Sequence, residues 1–127
     1  MDFKVRFMSR DRAERFEFPG DSAIISISTP GNKFPVFVRD DVPRFNWHRA
    51  DDSMPMTEDE VNAIYKFACE NEHRDFFVHC DAGISRSAAV ASFIGALFDR
   101  QVIGLDYPDV SCANAVIKSA LMRKLWV

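Results

Sequence analysis

The feature that most constrains this chain is a strand, loop and helix in its second half. Phe76-Phe77-Val78 is a short apolar run of residues that favour β-structure, and residues 87–98 are apolar nearly all round a helix. Gly83 lies between them and permits the positive φ that a tight loop needs. The segment therefore predicts a buried strand that passes through a tight loop into a buried helix.

The loop has the composition of an anion-binding site, because Cys80 and Arg86 bracket five residues, 81–85, at the start of the predicted helix. The first amides of a helix lack intrahelical partners, and the helix dipole adds partial positive charge there, so a loop curled at this point attracts a dianion. Beside a helix N-terminus and an arginine, the pKa of a thiol can fall from about 8.5 to roughly 3.5–7.5. We therefore expect Cys80 to be largely a thiolate at neutral pH and available as a nucleophile.

Five residues of this segment match a known signature. His79, Cys80, Gly83, Arg86 and Ser87 resemble the pattern His-Cys-x5-Arg-Ser/Thr of the cysteine-dependent protein tyrosine and dual-specificity phosphatases. The sequence is most similar to the small single-domain enzymes of this type from bacteria and bacteriophages, whose loop often reads close to His-Cys-x-Ala-Gly-Ile-Ser-Arg-Ser. The preceding strand, the glycine and the following helix all fall where that pattern expects them.

The resemblance extends more weakly over residues 23–97, and it implies hydrolysis of phosphate monoesters, with protein phosphotyrosine as the expected substrate. Cys80 attacks phosphorus and forms a cysteinyl-phosphate intermediate. The implied phosphate-binding amides are those of Asp81, Ala82, Gly83, Ile84, Ser85 and Arg86. No metal ion or other cofactor is implied.

The resemblance also implies roles for three side chains of the loop. The guanidinium of Arg86 binds two phosphoryl oxygens at once, a planar fork that lysine cannot reproduce. Ser87 hydrogen-bonds the Cys80 sulfur and helps it to depart in the second step. His79 supports the site by orienting the loop through backbone contacts.

The general acid is the part of the mechanism that the sequence leaves open. In the family it is an aspartate some thirty residues before the cysteine, and Asp51 and Asp52 are the candidates at that distance. The aspartate usually follows its strand at once, whereas here Asn46-Trp47-His48 occupies those positions. His48 is a weaker alternative acid, and Asp40 and Asp41 are weaker still.

Two other functions stay open at this point. A non-catalytic phosphate-binding module of the same fold would keep Arg86 and the loop amides without a usable acid. A different cysteine chemistry, arsenate reduction or sulfur transfer, would need features that the sequence does not place near Cys80. Cys69 and Cys112 are expected to be structural.

Composition agrees with a compact enzyme of one domain, residues 1–127. Apolar residues make up 47% and charged residues 28% of the chain, with a net charge of −3. The modest acidic balance argues against nucleic acid as a partner, and no apolar run is long enough to span a bilayer. We expect a cytoplasmic protein that acts on a phosphorylated protein or peptide, and the sequence does not indicate its oligomeric state.

The remaining elements are predicted from periodicity and caps. Strands are expected at residues 3–7, 23–28 and 42–47, with residues 34–38 either a strand or an extended loop. Helices are expected at residues 9–17, from the Thr57 capping box to about Asn71, and over residues 111–125. The alternation predicts an α/β three-layer sandwich with a mainly parallel central sheet, similar to that of the tyrosine phosphatases, with Cys80 at the carboxyl end of a central strand.

Overall fold

The computed structural model describes residues 3–81 and 85–126. It contains five strands and four α-helices in these ranges, in the order β1 (Val5–Ser9), α1 (Arg10–Arg15), β2 (Ser22–Ser28), β3 (Arg44–His48), α2 (Glu58–Glu70), β4 (Asp75–Cys80), α3 (Ser85–Phe98), β5 (Val102–Gly104) and α4 (Ala115–Met122), followed by a 3₁₀ turn (Arg123–Trp126). None of the helices in the described ranges has the length and apolar character needed to cross a membrane.

The five strands form one sheet in the order β3-β2-β4-β1-β5, and every pair is parallel. The predicted α/β class with a mainly parallel sheet is thus confirmed. β4 is the central strand, and its last residue, Cys80, pairs with Ser9 of β1. The preceding residue, His79, pairs with Ser26 of β2. The thiol therefore lies at the carboxyl end of the middle of the sheet, where open parallel sheets bind ligands.

Side chains of β4 alternate between two apolar clusters on opposite faces of the sheet. Phe76, Val78 and Cys80 belong to the larger cluster, which also contains the buried residues of α2, α3 and α4. Phe77 belongs to the smaller cluster, which is completed by α1 and by apolar residues of the loops. Helices thus contribute buried side chains on both sides of the sheet, an arrangement compatible with three layers.

The clearest sequence signals are reproduced. Thr57 caps α2 with a reciprocal capping box, in which its hydroxyl accepts a hydrogen bond from the Glu60 amide and the Glu60 carboxylate accepts one from the Thr57 amide. Helix α3 is buried from Arg86 to Gly95, as its apolar composition predicts.

Several element boundaries differ from the predictions. β1 lies two residues later than expected because Ser9 both pairs with β4 and caps α1. At residues 34–38, where a strand or an extended loop was predicted, the structure has a loop, in which Phe37 packs against Phe18 at 5.0 Å between ring centroids. The last helix is shorter than predicted because Asn114 provides its N-cap. The edge strand β5 was not predicted, being only three residues long.

Candidate active site

The thiol of Cys80 lies in a buried polar setting at the junction of β4 and α3. Its side chain is fully buried, and its Sγ atom is 3.5 Å from the hydroxyl oxygen of Ser87 in the first turn of α3. Ser87 is itself fully buried. β4 ends at Cys80 and α3 starts at Ser85, so the side chains of Cys80 and Ser87 lie at the adjoining ends of these elements.

The pKa of Cys80 departs from the sequence-based expectation. Burial is the largest influence and raises the pKa of the thiol above its ordinary value. The hydroxyl and amide of Ser87 and the guanidinium and amide of Arg86 act in the opposite direction, because each stabilises the thiolate, but they do not outweigh burial. The expectation of a lowered pKa was wrong because the sequence does not reveal how completely the thiol is withdrawn from water.

Arg86 is a buried cation with neutral partners. The residue is 2% exposed, and its Nη1 atom donates to the Thr29 hydroxyl at 3.1 Å and to the Arg49 carbonyl at 2.6 Å. Its Nε atom is buried and has no hydrogen-bond partner among the described residues. Within the same residues no carboxylate lies within salt-bridge distance of its guanidinium. A buried guanidinium with an unused donor and no paired carboxylate is suited to receive an anion.

Three of the expected phosphate-binding residues, Ala82, Gly83 and Ile84, lie outside the described residues. The two residues that flank them are described, and their side chains turn to different parts of the fold. Asp81 accepts hydrogen bonds from the Thr29 amide and from the side chains of Asn32 and Arg10. Ser85 instead donates its hydroxyl to a carboxylate on the loop after β3.

That carboxylate belongs to Asp51. One of its oxygens accepts from Ser85 Oγ at 2.7 Å and the other from Asn114 Nδ2 at 2.8 Å. Burial raises the pKa of Asp51, but the hydrogen bonds from Ser85 and Asn114, with the charge of Arg86, outweigh it and hold the pKa below its usual value. Asp51 is therefore ionised in this arrangement and is hydrogen-bonded to Ser85, at the start of α3.

The other candidates for the general acid have different surroundings. Asp52 accepts a hydrogen bond from the Met54 amide at 3.0 Å, and its carboxylate lies 3.6 Å from Arg49 Nη2. His48 stacks on Phe34, and its Nε2 atom is 3.0 Å from a backbone carbonyl. Of the acid candidates after β3, Asp51 is the one that the described structure joins to the loop following Cys80.

Two further aspartates were weaker candidates, and both are exposed in the loop before β3. Asp41 is paired with Arg39 at 3.4 Å. Asp40 borders a small hollow beneath that loop, together with Arg44 and Asn46. Among the described residues, neither aspartate contacts Cys80, Asp81, Ser85 or Arg86.

Three supporting residues were missed by sequence reasoning. Thr29 and Arg49 follow the ends of β2 and β3 and together hold the Arg86 guanidinium. Asn114 caps α4 through its Oδ1 atom, while its Nδ2 atom binds Asp51 and its amide donates to the Ser85 carbonyl. Only Asn114 carried a usable signal, because asparagine is a preferred N-cap residue.

His79 faces the opposite side of the sheet from Cys80. Its Nε2 atom is 2.7 Å from Ser26 Oγ, and the ring of Phe37 meets it edge-on at 5.8 Å. Burial and the charge of Arg44 lower the pKa of His79 to about 4. The imidazole is therefore neutral at physiological pH.

Comparison with known proteins adds no further guide. The chain matches no model of a protein family, no curated protein and no solved structure. Within residues 3–81 and 85–126, no group of three or more histidine, cysteine or acidic side chains is placed to hold a metal ion.

Proposed function

We propose that this protein is a cysteine-dependent phosphatase with a tyrosine phosphatase-like fold, which hydrolyses phosphate monoesters through a cysteinyl-phosphate intermediate. The observation that carries the proposal is Arg86. Its guanidinium is buried, is held by two neutral oxygens through Nη1 alone, and keeps Nε without a partner among the described residues. A phosphoryl group above Cys80 supplies the missing negative charge and accepts from the free edge of the guanidinium.

In the first step the thiolate of Cys80 attacks phosphorus in line with the leaving oxygen. The S–P bond forms as the bond between phosphorus and the leaving oxygen breaks, and Arg86 and the loop amides hold the equatorial oxygens. The leaving oxygen takes a proton from a carboxylic acid, for which we propose Asp51 because its carboxylate contacts Ser85 of the same loop.

In the second step water attacks the phosphocysteine. Asp51, now ionised, accepts a proton from that water as the new P–O bond forms and the S–P bond breaks. The departing thiolate of Cys80 is stabilised by the neighbouring Ser87 hydroxyl. Inorganic phosphate leaves and the enzyme returns to its starting protonation state.

Asp51 must be protonated for the first step, although it is ionised in the structure as described. A bound phosphate dianion places negative charge beside the Asp51 carboxyl group. It also neutralises the positive charge of Arg86, which lowers the pKa of Asp51 in the free protein. Both changes favour the protonated form of the carboxyl group. Substrate binding thus prepares the acid.

The proposed substrate is a phosphorylated protein or peptide, with phosphotyrosine reacting fastest. An aryl oxygen is a better leaving group than the alkyl oxygen of phosphoserine or phosphothreonine. The chain of 127 residues offers no long insertion that could build a deep pocket specific for phosphotyrosine. A shallow and permissive site therefore fits the sequence.

A second candidate is a phosphate-binding module without catalysis. The state of Asp51 favours it, since both carboxylate oxygens already accept hydrogen bonds and the pKa is lowered. The buried contact between Cys80 and Ser87 favours the enzyme, because simple anion binding requires neither side chain.

The test is turnover of an aryl phosphate by the purified protein in the presence of a metal chelator. We expect turnover in the wild-type protein and its loss, by roughly 10⁶-fold, in Cys80→Ser, because the nucleophile is removed. Cys69→Ser is the matched control, since Cys69 is exposed on α2.

Calorimetric measurement of inorganic phosphate binding distinguishes the phosphatase from the non-catalytic binding module. An inactive wild-type protein that binds phosphate would identify the binding module. Full activity of Cys80→Ser, or a strict requirement for a metal ion, would refute the phosphatase.

A further inference from the structure

Asp81 directly follows Cys80, and its side chain accepts hydrogen bonds from three different residues. The carboxylate is 9% exposed and accepts from the Thr29 amide at 2.6 Å, from Asn32 Nδ2 at 3.0 Å and from Arg10 Nη1 at 3.0 Å. These donors come from α1 and from the loop after β2. Only an ionised carboxylate can accept from three donors without presenting a proton of its own.

The charge state of Asp81 agrees with these contacts. Burial raises its pKa, but the hydrogen bonds from Asn32, Thr29 and Arg10 lower it much more, so that the net pKa is far below its usual range. Asp81 is therefore ionised at physiological pH.

Thr29 connects Asp81 to the catalytic guanidinium. Its amide donates to Asp81 Oδ2, and its hydroxyl oxygen accepts from Arg86 Nη1 at 3.1 Å. The carbonyl of Arg49 accepts the other hydrogen of the same nitrogen. Because both hydrogens of Nη1 are used in this way, Nη1 is the anchored end of the guanidinium, and the edge formed by Nε and Nη2 is left for a ligand.

The choice of edge matters for the chemistry. A bidentate contact needs two parallel N–H groups, and the Nε and Nη2 atoms of one guanidinium provide such a pair. If Thr29 moved, Nη1 would lose one of its two anchors and the guanidinium could rotate. The two hydrogen bonds to the phosphoryl group would then lose their alignment as its oxygens become equatorial in the transition state.

We propose that Asp81 is a positioning residue that, by fixing Thr29, determines which edge of the Arg86 guanidinium faces the phosphoryl group. This proposal rests on the proposed phosphatase function and adds to it a residue whose side chain does not touch the substrate. It also explains why an acidic residue stands beside a site for a dianion. The charge of the carboxylate is taken up by donors of α1 and of the loop after β2.

The experiment compares Asp81→Asn, Thr29→Val and the double variant in turnover of an aryl phosphate. Asp81→Asn places an amide among three donors, and Thr29→Val removes the hydroxyl with little change in shape. We expect each to lower kcat by about tenfold or more with a smaller change in KM, because the lost alignment acts mainly on the transition state. We expect the double variant to be no slower than the slower single variant, because both changes interrupt the same connection.

Two further variants separate positioning from general stability. Asp106→Asn is the matched control, because Asp106 likewise accepts from a backbone amide, that of Ser9, and from an arginine of α1, Arg12. It has no described contact with Thr29 or Arg86, so its kcat should match that of the wild-type protein. Thr29→Ser keeps the hydroxyl and should recover most of the kcat that Thr29→Val loses.

Several results would overturn the proposal. Losses in Asp81→Asn and Thr29→Val that multiply in the double variant would show that Asp81 acts without Thr29. A kcat for Asp81→Asn equal to that of Asp106→Asn would show that the connection has no effect.

If the wild-type protein has no turnover, the proposed catalysis fails and the same variants are compared by their Kd for inorganic phosphate. Weaker binding that does not multiply in the double variant supports the positioning role. Unchanged binding overturns it, and absence of phosphate binding by the wild-type protein overturns both proposals.

Discussion

Two polar clusters lie on opposite faces of the sheet, at neighbouring residues of β4. Each contains a buried ionisable group, a buried serine and an arginine, which is buried in the first cluster and partly buried in the second. In the first, Cys80 contacts Ser87 beside Arg86. In the second, His79 and Arg44 both contact the hydroxyl of Ser26, at 2.7 and 3.1 Å. The ring of Phe37 covers the second cluster, with the Arg44 guanidinium 4.3 Å from its centroid.

The two clusters differ in how the neighbouring arginine affects the charged form of the ionisable group. Burial disfavours the charged form of both Cys80 and His79. Arg86 opposes this effect at Cys80, because it stabilises a thiolate, whereas Arg44 reinforces it at His79, because it repels an imidazolium. One face is therefore arranged to develop a negative charge and the other to remain neutral, although the two have nearly the same composition.

The largest difference in turnover between the two faces is expected when Arg86 and Arg44 are each replaced by lysine. Arg86→Lys keeps the charge but loses the planar fork, so turnover of an aryl phosphate should fall by about 10²–10³-fold. Arg44→Lys should leave turnover close to the wild-type rate, because Arg44 lies on the other face. Steady-state kinetics, with thermal melting to verify folding, measures both. Similar losses in the two variants would remove the distinction between the faces.

Replacement of the two neighbouring aspartates sharpens the assignment on the Cys80 face. Asp51→Asn should slow hydrolysis of an alkyl phosphate by about 10²-fold and that of an aryl phosphate with a very good leaving group much less. Asp52→Asn is the control, since its carboxylate binds within its own loop. The ratio of the two substrates' kcat/KM values is the measurement. The opposite pattern would make Asp52 the acid, and no effect in the double variant would direct the search to His48.

The dependence of turnover on pH tests the raised pKa of Cys80. With an aryl phosphate that needs no acid, kcat/KM should rise about tenfold per pH unit from pH 7 to the thiol pKa, because the thiolate fraction grows in that proportion. With an alkyl phosphate it should stay level over the same range, because the protonated fraction of Asp51 falls as the thiolate fraction rises. A level profile for both substrates would mean that substrate meets a preformed thiolate.

The smallest effect on turnover is expected on the other face. His79→Gln retains a polar group for Ser26 and should leave turnover near neutral pH almost unchanged. The pH dependence of the free energy of unfolding should change instead, because the pKa of His79 in the folded protein, about 4, lies below its ordinary value of 6.5. As the pH falls, His79 is protonated in the unfolded chain before it is protonated in the folded protein. The contribution of His79 to the free energy of unfolding is therefore complete above pH 6.5 and is lost as the pH falls to about 4.

The expected loss is about 3 kcal/mol in the free energy of unfolding. Urea unfolding of both proteins at several pH values measures it, and the glutamine variant should lack this part of the dependence. An equal acid sensitivity in the two proteins would contradict a neutral His79.

The sequence was a good guide where local signals determine the outcome. The apolar run before Cys80, the apolar helix after it and the Thr57 capping box all produced the expected elements. β5 was not predicted because a strand of three residues is too short to show an alternating pattern. The choice between a strand and a loop at residues 34–38 stayed open in the sequence because Phe37 is positioned by tertiary contacts with Phe18 and Arg44.

The candidate site was less predictable because the residues that position its side chains come from separate segments of the chain. Asp51 and Asp52 are adjacent, and nothing local distinguishes them. Contacts with Ser85 and Asn114 separate the two in space. The pKa of Cys80 could not be foreseen for a similar reason, since the helix and arginine are visible in the sequence but the extent of burial is not.

The parallel sheet has a consequence for folding kinetics. No two neighbouring strands of the β3-β2-β4-β1-β5 order can be joined by a tight hairpin, and β4 inserts between two strands made much earlier in the chain. Loop closure over such separations must precede any gain from contact, so folding of this topology is slow for its size. Arg86, in the helix that follows β4, contacts Thr29 and Arg49 after β2 and β3, so these contacts require β4 to have taken its place between β1 and β2. If the proposed phosphate site exists, recovery of phosphate binding during refolding should not precede the insertion of β4.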